Sequence, residues 1–148
     1  MSHTVHKLRI VAAIAINSQR EILLVRKRGT TAFMQPGGKI EPLESEIEAL
    51  QRELTEELSW SVAPQQIERV GTYSAVAAHE ADTVVRATLF VIHTDERATP
   101  NAELAEARWV SLGAARSLEL APLTRDHVLP IAAARCHAAV GDRETDPE

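Results

Sequence analysis

The chain is predicted to fold as a single α/β (α+β) domain in which a mixed β-sheet lies between helices. Three observations lead there. Ile10–Ile16 and Ile22–Val25 are aliphatic runs of strand length. Ser45–Leu58 has the apolar period of a helix. The order along the chain is β-β-(short β)-α-β-β-(β)-α.

The elements follow in sequence. Leu8–Ile16 and Glu21–Arg28 are predicted strands joined by the polar turn "NSQR". The unbroken "ILLV" at Ile22–Val25 predicts a strand covered on both faces. "RKRGTTAF" is a basic loop leading into a short segment before Pro36, and the helix Ser45–Leu58 comes next. Ile67–Ala77 and Thr83–Thr94 are two further strands. "ERATPNAELAEA" is expected to be a loop with a helical turn, and "RWVSL" a short strand. Leu112–Leu118 and the Ala-rich Thr124–Ala139 predict two closing helices. One domain is expected over 1–140, with a polar tail over 141–148.

Composition narrows the function. Of the 148 residues 45% are hydrophobic and only 3% aromatic, so aliphatic side chains must build the core. A net charge of −5 argues against a surface for polymeric nucleic acid, which needs clustered Lys and Arg. It leaves room for a small nucleotide that brings its own metal ions. The single cysteine, Cys136, provides no disulfide framework and fits a reducing compartment. The apolar run at the N-terminus is too short to span a bilayer, so no membrane role and a cytoplasmic location are expected.

The acidic helix carries the chemistry. Seven glutamates lie between Glu41 and Glu57, with Arg52 the sole base among them. On a helical projection Ile47, Leu50, Leu54 and Leu58 share an arc of about 80° that must face the core. Glu53, Glu56 and Glu57 stand together on a neighbouring arc, at i, i+3 and i+4. Three such carboxylates repel unless a cation sits among them, and hard ions such as Mg²⁺ or Mn²⁺ prefer oxygen donors. Arg52 is spaced to pair with Glu48 and Glu56, four residues to either side. Gly37 and Gly38 allow the backbone to approach a ligand, and a carbonyl of that turn can complete a metal shell. Glu41 is expected to help hold the loop, while Glu46 and Glu48 need only be solvated.

Gly38, Glu44, Arg52-Glu53-Leu54 and Glu56-Glu57 follow the spacing Gly-x5-Glu-x7-Arg-Glu-(aliphatic)-x-Glu-Glu-x-Gly-(apolar). This resembles the Nudix box, and the flanking strand order resembles the Nudix α/β/α sandwich. The resemblance implies a Mg²⁺- or Mn²⁺-dependent hydrolase cleaving the pyrophosphate linkage of a nucleoside-diphosphate derivative. It makes Glu53, Glu56 and Glu57 metal-binding carboxylates, Gly37 the carbonyl ligand, and Glu44 with Arg52 the ion pair that ties loop to helix. The chain departs from the pattern at Ser59, where the box ends in glycine, and at Leu43, a loop position often held by glycine. Because αL geometry favours glycine, the helix is expected to end differently here.

Beyond the box, Glu53 is the first candidate for the catalytic base and Glu103, upstream of "RWV", the second. Glu106, Glu80 and His79 are weaker candidates. Lys39, Gly38 and Arg26 are the candidates for binding phosphate. The resemblance brings no substrate signature that this chain matches, so a broad (deoxy)nucleoside triphosphate is the expected substrate. A nucleotide sensor built on the same fold is the rival reading, and a homodimer is compatible with the family.

Overall fold

The computed structural model describes residues 4–78 and 80–136. The sheet contains β1 (His6–Ile16), β2 (Glu21–Lys27), β3 (Gly37–Lys39), β4 (Ile67–Val76), β5 (Thr83–His93) and β6 (Leu104–Ser111). The order is β4-β5-β1-β2-β6, with β3 also paired to β1. β1 runs parallel to β5 and antiparallel to β3. The sheet is therefore mixed, as the element order predicted. β1 meets β2 only at Ile16↔Ile22 and meets β3 at Ile10–Ala12. The two strands thus share one side of β1, and the loop between them is free to shape a site.

Strand alternation splits the core into two layers. Ala12, Ile14, Ile22, Leu24 and Leu89 face one side, and Val11, Ala13, Leu23, Val25 and Phe90 the other. All four residues of Ile22–Val25 are buried, so the covered strand is as expected. Helix α1 (Glu46–Leu58) closes the second layer with Ala49, Leu50, Leu54 and Leu58. The first layer is closed by α2 (Leu112–Ala115) and by α3, residues 122–136, whose turn Thr124–Val128 is π-helical. Cys136 lies buried in α3 as a free thiol, pushed up in pKa by burial. Residues 137–139 of the expected helix, and the tail, lie outside the described residues. Among the described residues no helix is long and apolar enough to cross a membrane.

Two expectations need correction. Residues Leu104–Ala107 were expected in a loop with a helical turn, yet they form the first half of β6, in register with β2. Ala, Glu and Leu favour helix locally, but pairing with the exposed side of β2 outweighs that preference. The helix α1 was expected to end without αL geometry, yet Ser59 adopts it at φ 58°, ψ 32°. Asn101 supports the turn: its Nδ2 donates to Ser59 Oγ at 2.7 Å and its N–H to the Glu57 carbonyl at 2.9 Å. Leu43 is likewise held at φ 70° and is fully exposed.

Leu43 gains no contact from its left-handed backbone and buries nothing. Leu43→Gly should therefore raise stability by about 1 kcal/mol, measured as an increased urea midpoint at unchanged m-value. Ser59→Gly should yield less, because it also removes the acceptor for Asn101.

Candidate active site

The site forms where β3 and its following loop meet α1. Ser45 caps the helix in a reciprocal capping box with Glu48: Ser45 Oγ accepts from Glu48 N, and Glu48 Oε1 accepts from Ser45 N. Glu48 is therefore committed to the helix start and does not pair with Arg52, contrary to its spacing. Glu46 is not merely solvated either. It accepts from Thr88 Oγ1 at 2.6 Å and from Arg69 Nε at 3.1 Å, which lowers its pKa.

Arg52 reaches backward, to the loop. Its Nε and Nη2 grip both oxygens of Glu44 at 2.7 and 2.8 Å, and Nη2 also donates to the Lys39 carbonyl at 3.0 Å. Glu44 Oε1 accepts from Glu41 N–H as well, and the Glu41 carboxylate lies 3.7 Å from the guanidinium. The bidentate Arg52 contact holds the Glu44 carboxyl down at about 2. The pair implied by the resemblance is present. The Arg52 contact to Glu56 is the weaker one, at 3.5 Å.

The three helix carboxylates differ in environment. Glu57 is only 9% exposed, and its Oε1 accepts from Gly37 N–H at 2.9 Å. Burial raises its pKa to about 7 despite that hydrogen bond. Glu53 packs against Gly38, accepts from Arg52 Nη1 at 2.9 Å, and is raised chiefly by burial. Glu56 is exposed. Glu103 lies outside the helix, its carbonyl fixed by Arg28 N–H at 2.8 Å, and its charge reaches both Glu53 and Glu57. Among the described residues no three acidic, His or Cys side chains are drawn together into a closed ligand set. The fold brings the carboxylates to one end of α1, with Arg52 against two of them.

Gly37 is required by backbone contact, whereas Gly38 leaves the room that a side-chain carboxylate fills. A Cβ at Gly37, which has φ 150°, would strike the Val11 carbonyl and the Ala12 backbone. A Cβ at Gly38 would fall on the Glu53 carboxylate. Beside them opens a cleft of about 160 Å³, lined by Leu8, Ile10, Val85 and Leu123 together with Lys27, Gln35 and Lys39.

Lys39 and Gly38 lie at this cleft, whereas Arg26 does not line it. Arg26 Nε is bonded to Glu106 at 2.9 Å and Nη1 to the Thr30 carbonyl at 2.7 Å, so the side chain braces β2 against β6. Lys27 takes the cleft position that was expected of Arg26, beyond the register shift between Arg26 and Lys27. It went unrecognised because a bulge is not visible in the run "RKR". Glu80 lines the cleft as well, while His79 lies outside the described residues.

Fold and site together define a class. The Nudix domain family matches residues 6–131, and the chain belongs to that family of pyrophosphohydrolases, which act on phosphorus-containing acid anhydrides. Among solved structures it is similar to the MutT protein from Methanosarcina mazei, with TM-score 0.73 and 24% identity over 90% of this chain and 98% of that one. It is also similar to the NUDIX domain of Shewanella oneidensis NrtR complexed with ADP ribose, with TM-score 0.68 and 23% identity over 91% and 90%. A MutT/nudix family protein from Enterococcus faecalis matches with TM-score 0.61 and 17% identity over 74% of this chain, which spans 45% of that protein's length. No curated protein sequence matches.

Two outcomes check the site. Gly38→Ala should displace the Glu53 carboxylate and suppress turnover while the circular dichroism spectrum is retained. Glu57 holds in the folded state a proton that an unfolded carboxyl near 4.5 has lost. Its stabilising contribution is therefore full below about 4.5 and lost as pH rises through about 7. Without divalent ions the Tm should fall over that window, and Glu57→Gln should flatten the slope.

Proposed function

We propose that this protein hydrolyses the pyrophosphate linkage of a nucleoside-diphosphate derivative, foremost a (deoxy)nucleoside triphosphate, with Mg²⁺ or Mn²⁺. The observation that carries the reading is the junction of Gly37-Gly38 with the acidic end of α1. There Glu57 is buried against the Gly37 N–H and Glu53 packs against Gly38. The donors suit a hard divalent ion: Glu53, Glu56 and Glu57 offer carboxylate oxygens and Gly37 a carbonyl. Such an ion, when bound, neutralises phosphate charge and makes water a stronger nucleophile toward phosphorus.

The residues then divide the work. Glu57 is anchored and desolvated, so its charge is strong once its proton is lost. Glu53, restrained by Arg52, is the first candidate to accept the proton of the attacking water, and Glu103 the second. Lys39 and Lys27 supply positive charge at the cleft, and Gly38 lets the phosphate chain approach the backbone. Glu44 and Arg52 keep the loop seated on the helix.

One observation favours a second reading, a nucleotide-binding module without hydrolysis. Arg52 already satisfies Glu53 in part. The NrtR domain, which is similar in fold, was solved with ADP ribose.

A panel of nucleoside triphosphates, ADP-ribose, dinucleoside polyphosphates and nucleotide sugars, each with Mg²⁺ or Mn²⁺, separates the two. Hydrolysis of any of these supports the enzyme, and binding with no turnover supports the module. Glu57→Gln should lower kcat by roughly 10²-fold or more, and undiminished turnover in that variant would sink the assignment of the metal carboxylates.

A further inference from the structure

The mechanism above leaves one buried polar side chain in the cleft unexplained. Gln35 is 6% exposed, and its Oε1 accepts from Thr124 Oγ1 at 2.7 Å. Thr124 is completely buried and begins the π-helical turn of α3. In this arrangement the hydroxyl donates to Oε1, and the Nε2 end of the amide is turned away from it. The acceptor oxygen is occupied and the Nε2 amino group is left over. Among the described residues no buried side-chain nitrogen or oxygen lacks a partner, and none of those residues accepts a hydrogen bond from Nε2. Nε2 is therefore not sealed in, and the space it opens onto is the cleft that Gln35 lines.

The surroundings say what meets it. At about 160 Å³ the cleft is small beside the roughly 300–1,000 Å³ of sites that engulf a whole ligand. It can enclose one flat group while the rest of the ligand lies along the mouth. Leu8, Ile10, Val85 and Leu123 make its walls apolar, and the lysines and glycines of the phosphate end are part of the same lining. A base fits between such walls, and Gln35 then offers donors alone. We propose that Gln35, oriented by Thr124, is the specificity-determining residue of the cleft and selects bases that present an exocyclic carbonyl over those that present an amino group. The favoured class is the 6-oxopurine or 4-oxopyrimidine nucleoside phosphate. An amino group at that point would set donor against donor, and an unpaired buried donor is costly.

This inference rests on the nucleotide reading of the same site, so the test keeps the two apart. Steady-state kcat/KM is compared within ring size, GTP against ATP and UTP against CTP, alongside Kd values for the corresponding monophosphates. The oxo base should be preferred by roughly tenfold or more in the ring size that fits. In Thr124→Val, which removes the orienting hydroxyl at similar volume, the amide can turn over and the ratio should fall toward one. Gln35→Leu should abolish the ratio as well. A purely structural role would lower all four nucleotides together and leave the ratio intact, which would overturn the proposal. Hydrolysis with no base preference, or with preference for amino bases, overturns it while the function stands. If no nucleotide is bound or hydrolysed, both fall.

Discussion

One guanidinium holds the site in its shape. Arg52 is the sole base among the seven glutamates from Glu41 to Glu57, and it bonds Glu44, Glu53 and the Lys39 carbonyl at once. The planar fork makes this possible, since a lysine could reach these groups only as a point charge. The loop after β3 contains no regular structure and buries little, so its position on α1 depends on this contact and on Glu44 bonding the Glu41 backbone. The position of Gly38 beside Glu53 depends on the same link.

Charge density at the end of α1 is the corresponding cost. Burial raises the pKa values of both Glu57 and Glu53, and the charge of the nearby Glu103 adds to the rise at each. Arg52 relieves Glu53, whereas Glu57 is compensated by the backbone N–H of Gly37 and, less, by the charge of Lys27. Residual unfavourable charge of this kind marks functional sites more often than structural ones.

How much of this was legible in the residues varies with the range of the interactions. The helix α1, its core stripe and its carboxylate face followed from periodicity, because a helix is specified by neighbours three and four positions apart. The spacing of Gly38, Glu44 and Arg52 carried the resemblance, and the Glu44–Arg52 pair stands as it implied. The same local logic misassigned Glu48, which had a nearer partner in the capping box, and Glu46, whose partners Thr88 and Arg69 come from other strands. It misjudged "AELAEA", whose helical composition yields to pairing with β2. Ser59 and Leu43 looked like departures that would change the backbone, yet both adopt the left-handed geometry that glycine would have taken.

By itself, then, the sequence determined the strand and helix order, the sandwich class, the family and the crowding of carboxylates on one helix, all of which depend on spacing along the chain. Tertiary structure alone decided which glutamate is buried, that Lys27 rather than Arg26 lines the cleft, and that Gln35 meets Thr124 across 89 positions. Those properties depend on which distant surfaces exclude water from a given side chain, and no pattern of neighbours along the chain encodes that.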